Sequence, residues 1–448
     1  MTPDERAWLR DFLAFDEDRG RRKRRSSALW NETAGSFPSG LIPHVKRAAK
    51  LDGLTVEVVD RRAVPCPPDV AADTSWLRDY QRAAVDAILA STRGVVHLPT
   101  GAGKTELAVA LARVLPCRWL FVAHRKDLMH QAADRYELRT GDVAGRVGDG
   151  LWDVRRFTVA TYQSIAAALR AKDKRAEALL SATEGAVFDE AHVVGADQFW
   201  RIAMRTKSAY WRVGLSGTPF DRTDQRSILV VAAIGPRVFR LRPGDLIDEG
   251  VLARPRIRMV ACPQGSVDGG WSDVYRELVV GSRQRNDLLA QLALRAAKPC
   301  LLFVKEIDHG EALARALERA RVKVEFVWGD VATERRQAAV RRLTRGDVDV
   351  LVCSVIFQEG IDIPALASVV VGSAGKSTIA ALQRIGRGMR TDGGRKMEFE
   401  VWDVLDKGDP WLEKHARRRM KAYVGEGHEV VVDGGAPAAQ VQLRGVAR

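Results

Sequence analysis

Nothing in this sequence approaches the run of about 18 apolar residues that a membrane-crossing helix requires. The opening residues, 1–10, are charged and lack the apolar centre of a secretion signal. No membrane partner is therefore expected, and the expected location is a bacterial or phage-infected host cytoplasm. Cysteine is also scarce. The five residues Cys66, Cys117, Cys262, Cys300 and Cys353 are scattered without a C-x-x-C pair. That argues against a disulfide framework or a metal knuckle and suits a reducing compartment. Acidic residues are in deficit, 57 against 71 basic, leaving a net charge of +14. Segment by segment the balance is +1 over 1–75, +9 over 76–258, +5 over 259–425 and −1 beyond. The excess thus sits in two central segments. A polyanion partner such as nucleic acid accounts for it, with a generally basic soluble surface as the alternative.

What is present is enough apolar material, 46% of 448 residues, for two or three packed domains. Strand-like runs alternate with helical patterns in two stretches, which is the signature of an α/β fold. The first stretch has expected strands at 94–98, 119–123, 157–161 and 186–188. The second has them at 300–304, 322–327, 348–353 and 368–371. The organisation read from this is an N-terminal module over 1–75, a first domain over 76–240, a Pro- and Gly-bearing linker over 241–258, a second domain over 259–425 and a flexible tail over 426–448. Within the N-terminal module, 54–59 alternates and is expected to be a strand.

The strongest chemical signal is PTGAGKT at 99–105, placed after a strand and opening a helix. Backbone N–H groups of Thr100, Gly101, Ala102 and Gly103 in such a loop cradle phosphates at a helix N-terminus. Lys104 reaches the β- and γ-phosphates, and the Thr105 hydroxyl ligates Mg²⁺. The full pattern wants glycine at 98, where Leu98 stands. The second signal is VFDEAH at 187–192, an apolar strand delivering Asp189 to hold Mg²⁺ and Glu190 to orient and deprotonate the attacking water. ATP and Mg²⁺ are accordingly the expected nucleotide and ion.

Further strings follow in the order found in superfamily 2 helicases, which the chain resembles. LRDYQ at 77–81 resembles the adenine-reading element, with Gln81 as reader. VAHRKDL at 122–128 and TYQS at 161–164 resemble motifs that grip the nucleic-acid backbone, through Arg125, Lys126, Thr161 and Gln163. LSGTPF at 215–220 resembles the element coupling hydrolysis to movement. SVIFQEGIDIP at 354–364 resembles the fifth motif, with Gly360 and Asp362 near the nucleotide, and QRIGRGMR at 383–390 the sixth, with Arg387 and Arg390 as arginine fingers. The resemblance implies two RecA-like parallel-sheet domains in tandem, with a small N-terminal α/β accessory module. It also implies an ATP hydrolase that alternately grips nucleic acid, most naturally DNA in recombination, repair or replication. The motor subunit of a restriction system and an RNA-remodelling ATPase are the alternatives.

RTD at 222–224 resembles the short element of XPB-like enzymes. The stretch 37–62 resembles the accessory module of UvsW-like phage recombination helicases, which act on branched DNA. Single-stranded and branched duplex DNA are the partners this implies, with RNA possible. In the N-terminal module six of seven residues from 19 to 25 are basic, and Arg21, Arg22, Arg24 and Arg25 are expected to hold a duplex arm by its phosphates. Other features have two readings. His192 suits an interdomain contact or polar surface. Trp30, Trp200 and Trp211 suit base stacking or core packing. GSAGKS at 372–377 mimics a second phosphate loop but lacks its spacing.

Overall fold

The computed structural model describes residues 2–17, 25–195, 197–217, 227–328, 333–354, 363, 366–375, 386, 389 and 396–433. They form two compact units, Met1–Pro99 with Gly103–Leu241, and Arg242–Arg448 with Thr100–Ala102. Seventeen strands are described. The first two, β1 (Ala14–Glu17) and β2 (Arg25–Ala28), make a small antiparallel hairpin.

The first unit carries an eight-stranded sheet. Its strands in chain order are β3 (Arg93–His97), β4 (Trp119–Ala123), β5 (Gly145–Gly148), β6 (Leu151–Trp152), β7 (Phe157–Thr161), β8 (Gly185–Asp189), β9 (Trp211–Ser216) and β10 (Arg237–Arg240). In space the order is β10-β3-β9-β8-β4-β7-β5-β6, parallel throughout except for the β5–β6 pair. The central strands are mostly apolar and buried nearly along their whole length because helices cover both faces of a parallel sheet. Register aligns His97 with Ser216, Asp189 with Leu215 and Ala123 with Thr161. The carboxyl ends of β3, β9, β8, β4 and β7 therefore share one edge, where open α/β sheets bind ligands.

The second unit carries a seven-stranded parallel sheet. Its strands are β11 (Arg254–Pro263), β12 (Cys300–Val304), β13 (Val324–Val327), β14 (Val350–Ser354), β15 (Ser368–Val371), β16 (Glu398–Lys407) and β17 (Val430–Asp433). They are ordered β13-β14-β12-β15-β16-β11-β17. Cys300 and Cys353 are fully buried within it. No helix among the described residues is long and apolar enough to cross a membrane.

Three expectations meet corrections. Residues 54–59 pair with no strand. Leu54, Val58 and Val59 are 38%, 45% and 65% exposed, so the alternation has no partner to bury its apolar side. The expected linker is structured: the helix Pro243–Asp248 and the start of β11 lie in it. The span expected as tail contains a strand, since β17 pairs with β11 at Ile257↔Val430. The N-terminal residues also share a core with the first sheet's helices. Leu9, Leu13, Trp30, Leu41 and Val45 pack with Val231 and Ala232 of the helix Ser227–Ala233. Trp30 and Trp211 are buried, and Trp200 packs at the rim of two apolar clusters, so all three serve packing.

Candidate functional site

The phosphate loop joins β3 to the helix Lys104–Val114. That helix forms because Leu107, Ala108, Val109, Ala110, Leu111 and Ala112 give it a strong helix-forming interior that packs, fully buried, in the first unit. Gly103 caps it in the left-handed region at φ 73°, and Gly101 stands at φ 89°. A Cβ at Gly103 would collide with the Gln81 side-chain amide, so glycine there answers both a backbone and a packing demand. Gln81 is buried. Its amide nitrogen lies 3.4 Å from the Gly103 carbonyl, and its side-chain oxygen accepts from the Arg78 backbone N–H at 2.9 Å.

β8 ends at Asp189. Burial, and then repulsion from Glu190, push the Asp189 carboxyl above its usual range, while Lys104 and His124 pull it back down. The phosphate-loop lysine and the acidic pair therefore share one electrostatic neighbourhood. Glu190 stands at φ 48°, in the left-handed region a side chain rarely adopts. Such strain persists where a site needs a side chain aimed in one direction. His192 Nδ1 lies 3.4 Å from the Glu190 carboxylate and 3.1 Å from the Ser216 hydroxyl. The histidine thus joins the acidic motif to the start of the LSGTPF string within one unit.

A second histidine link was not legible in the sequence. His97, the last residue of β3, has Nε2 2.8 Å from the Gly217 carbonyl. That ring nitrogen must carry the proton to donate, and burial pushes the imidazole's pKa down to about 4. The strand feeding the PTGAGKT loop is thereby tied to the LSGTPF string by a neutral histidine.

Beyond this lies the expected nucleic-acid edge. The Gln163 amide donates to the His124 carbonyl at 2.9 Å, joining the two strings expected to grip a nucleic-acid backbone. Thr161 is buried, and its hydroxyl accepts from the Ser164 backbone N–H at 3.3 Å, capping the helix Tyr162–Arg170. Arg125 caps the helix Lys126–Thr140, and exposed Lys126 meets Asp149 at 2.5 Å. Gly360, Asp362, Arg387, Arg390, Arg21, Arg22 and Arg24, with RTD at 222–224, lie outside the described residues. Arg25 lies in β2, and its side chain is outside the described set.

Two family models match. Residues 75–221 match the model described as Type III restriction enzyme, res subunit, and residues 284–392 match the helicase conserved C-terminal domain. The DNA 3'-5' translocase XPB2 of Sulfurisphaera tokodaii is 24% identical over 81% of this chain and 89% of that protein. The ATP-dependent DNA helicase uvsW of Enterobacteria phage T4 is 25% identical over 77% of this chain and 71% of that protein. A Rad25 relative in Haloarcula marismortui is 29% identical over 79% of this chain, which spans only 56% of that relative's length. In fold, the chain is similar to the restriction-modification enzyme LlaBIII bound to DNA, with a TM-score of 0.60 at 16% identity over 85% of this chain and 32% of the other.

Proposed function

We propose that this chain, which belongs to helicase superfamily 2, is an ATP-driven motor that translocates along or unwinds DNA. The observation that carries the reading is the single edge where Lys104, Asp189 and Glu190 meet Ser216, Gly217 and the two backbone-gripping motifs. The names of the relatives support DNA as the polymer and 3'-5' as the direction. Forked or branched DNA is the substrate proposed. The restriction-subunit model over 75–221 supports a second reading, translocation on intact duplex without strand separation.

The residues fit the ion that such chemistry uses. Two adjacent carboxylates at a buried strand end, facing one lysine, are a hard-oxygen donor set wanting positive charge. Thr105 and Asp189 would hold Mg²⁺, which supplies charge neutralisation across the phosphates when bound. Lys104 and the loop N–H groups bind the phosphates of ATP. Glu190 orients a water and takes its proton as the water attacks the γ-phosphorus, while the bond from that phosphorus to the β–γ bridging oxygen breaks and ADP leaves with phosphate as the second product. His192, against the Glu190 carboxylate, keeps that carboxylate aimed. Ser216 and Gly217, held by His192 and His97, register whether the γ-phosphate is present. Arg387 and Arg390 are proposed to stabilise charge on the transferred phosphoryl group.

The test is ATP hydrolysis measured with single-stranded, forked and intact duplex DNA and with RNA. Stimulation by DNA is expected, strongest on forks. Glu190→Gln is expected to retain ATP binding and lose turnover by roughly 10² or more, the scale of general-base loss. Hydrolysis indifferent to every nucleic acid would sink the motor reading. Duplex translocation with no strand separation would favour the restriction-type reading.

A further inference from the structure

The helix Pro410–Gly425 contains five Lys or Arg residues and one acidic residue, Glu413. Its inner side is fixed. Leu412, Ala416, Arg419 and Tyr423 are buried. Arg419 makes two bonds of 2.9 Å to the Asp403 carboxylate of β16, and the Tyr423 hydroxyl donates to the same carboxylate at 2.8 Å. Arg419 also donates to the Gly375 and Val404 carbonyls at 3.2 and 3.0 Å.

The outer side is different. Trp411, Lys414, Arg417, Arg418 and Lys421 are all exposed. At 3.6 residues per turn they fall within an arc of about 120°. Glu413 lies beside this arc and is already engaged by Arg417 at 3.2 Å and by the Gly408 N–H at 2.9 Å. Lys414, Arg418 and Lys421 have no acidic partner among the described residues. Trp411 is 43% exposed, and of the eleven tryptophans it alone is exposed. A surface helix usually mixes both signs of charge and hides its aromatics. The helicase C-terminal match ends at residue 392, before this helix begins.

Resting on the nucleic-acid motor reading above, we propose that this face binds a single nucleic-acid strand, with Lys414, Arg418 and Lys421 on phosphates and Trp411 stacked on an unpaired base. Cationic side chains beside an aromatic platform are how single strands are held without sequence preference. The three cations span about 10 Å of helix. A duplex, whose base faces are already stacked, would engage the cations and leave the indole unused.

The test uses the full chain and a labelled single-stranded oligonucleotide, with affinity followed from about 50 to 200 mM salt. Lys414→Glu with Arg418→Glu and Lys421→Glu should weaken binding more than tenfold and make the slope of log affinity against log salt shallower by about 2, three phosphate contacts at about 0.7 each. Trp411→Ala should weaken binding roughly tenfold by loss of stacking, with the slope unchanged. That loss should vanish on an abasic strand. Unfolding midpoints check that the variants fold, with glutamine replacements in reserve. Variants that bind like the wild type, when the wild type itself binds, overturn this surface alone. Loss confined to blunt duplex also overturns it, in favour of a duplex-arm contact. A wild type that binds no nucleic acid overturns the motor reading together with it.

Discussion

In the first unit half-buried Arg93 and buried Arg212 face backbone carbonyls, with one Arg93 bond to the Ser39 hydroxyl, whereas in the second unit buried Arg285 and Arg419 pair with carboxylates. Arg93 donates to the Ala233 and Ile234 carbonyls at 3.0 and 2.7 Å. Arg212 reaches the Ala203 and Ala233 carbonyls at 2.9 and 3.0 Å, and that of Thr206. These carbonyls sit at or just beyond the C-terminal ends of the helices Asp197–Arg205 and Ser227–Ala233, where the helix dipole is negative. With no carboxylate partner among the described residues, burial pushes Arg93 down to about 9 and Arg212 to about 10. In the second unit Arg285 pairs with Asp406 at 2.9 Å and Arg419 with Asp403, every member almost fully buried. The pairing with Asp403 raises the Arg419 pKa despite its burial. The carbonyls of Gly372 and Gly375, in the loop that mimics a phosphate loop, accept from these same two arginines. Residues 372–375 are therefore clamped at both ends by buried arginines, and a Cβ at Gly372 would press on the Phe303 carbonyl. The lesson is that an arginine lent to helix ends can be removed without stranding a charge, while an arginine in a closed pair cannot.

The largest expected effect breaks a pair. Arg419→Met leaves Asp403 buried without its counter-charge and should cost about 3 to 5 kcal/mol. Urea unfolding gives the cost, and faster amide exchange in 398–407 locates it. Adding Asp403→Leu should recover most of the loss. If the double variant is no better than the single, the contrast between the units fails. A smaller effect is expected from Arg212→Met, about 1 to 3 kcal/mol for orphaned carbonyls. A loss exceeding that of Arg419→Met would reverse the comparison.

The smallest effect near neutral pH is the one set by pH itself. Burial lowers His97 and His428 to about 4 and His309 to about 3. The native state keeps them neutral, while the unfolded chain takes up protons near pH 6.5. Below that point the unfolded state binds more protons, so stability falls as pH falls, by about 1.4 kcal/mol per histidine per pH unit until the native value is reached. His309→Gln, still able to donate to the Asn286 side-chain oxygen that His309 meets at 2.8 Å, should flatten this slope between pH 6.5 and 5. A melting temperature equally steep in the variant would show that His309 does not contribute.

Legibility followed sequence distance. β4, β7, β12 and β15 match their expected bounds because each is a short run of apolar and small hydroxyl residues, rich in β-branched and aromatic side chains and buried throughout, a pattern that both faces of a parallel sheet impose locally. The loop that follows β3 and the acidic pair that ends β8 are local in the same way, each a short string of consecutive residues at a strand end. Residues 54–59 misled because alternation says only that one face is suited to burial, and the fold offers nothing there to bury it. His97 with Gly217 and Arg285 with Asp406 were invisible, being 120 and 121 residues apart, with neither partner unusual in its own neighbourhood. The buried polar atoms that organise this fold are thus its least readable part.

The seam at Gly40 limits where this gene can be cut. A Cβ there would strike the Val231 and Ala232 carbonyls, so the N-terminal residues are fitted to the helix Ser227–Ala233 at backbone contact. Dissecting the protein at residue 75, as though an accessory piece were being unplugged, would strip the cover from Val231, Ala232, Trp200 and Ile228. The freed surface would be sticky in solution and a target for chaperones and proteases. Lost activity in such a fragment would then report poor solubility as readily as a missing contact to DNA, so the role of the first 75 residues is better probed by point changes on their exposed side.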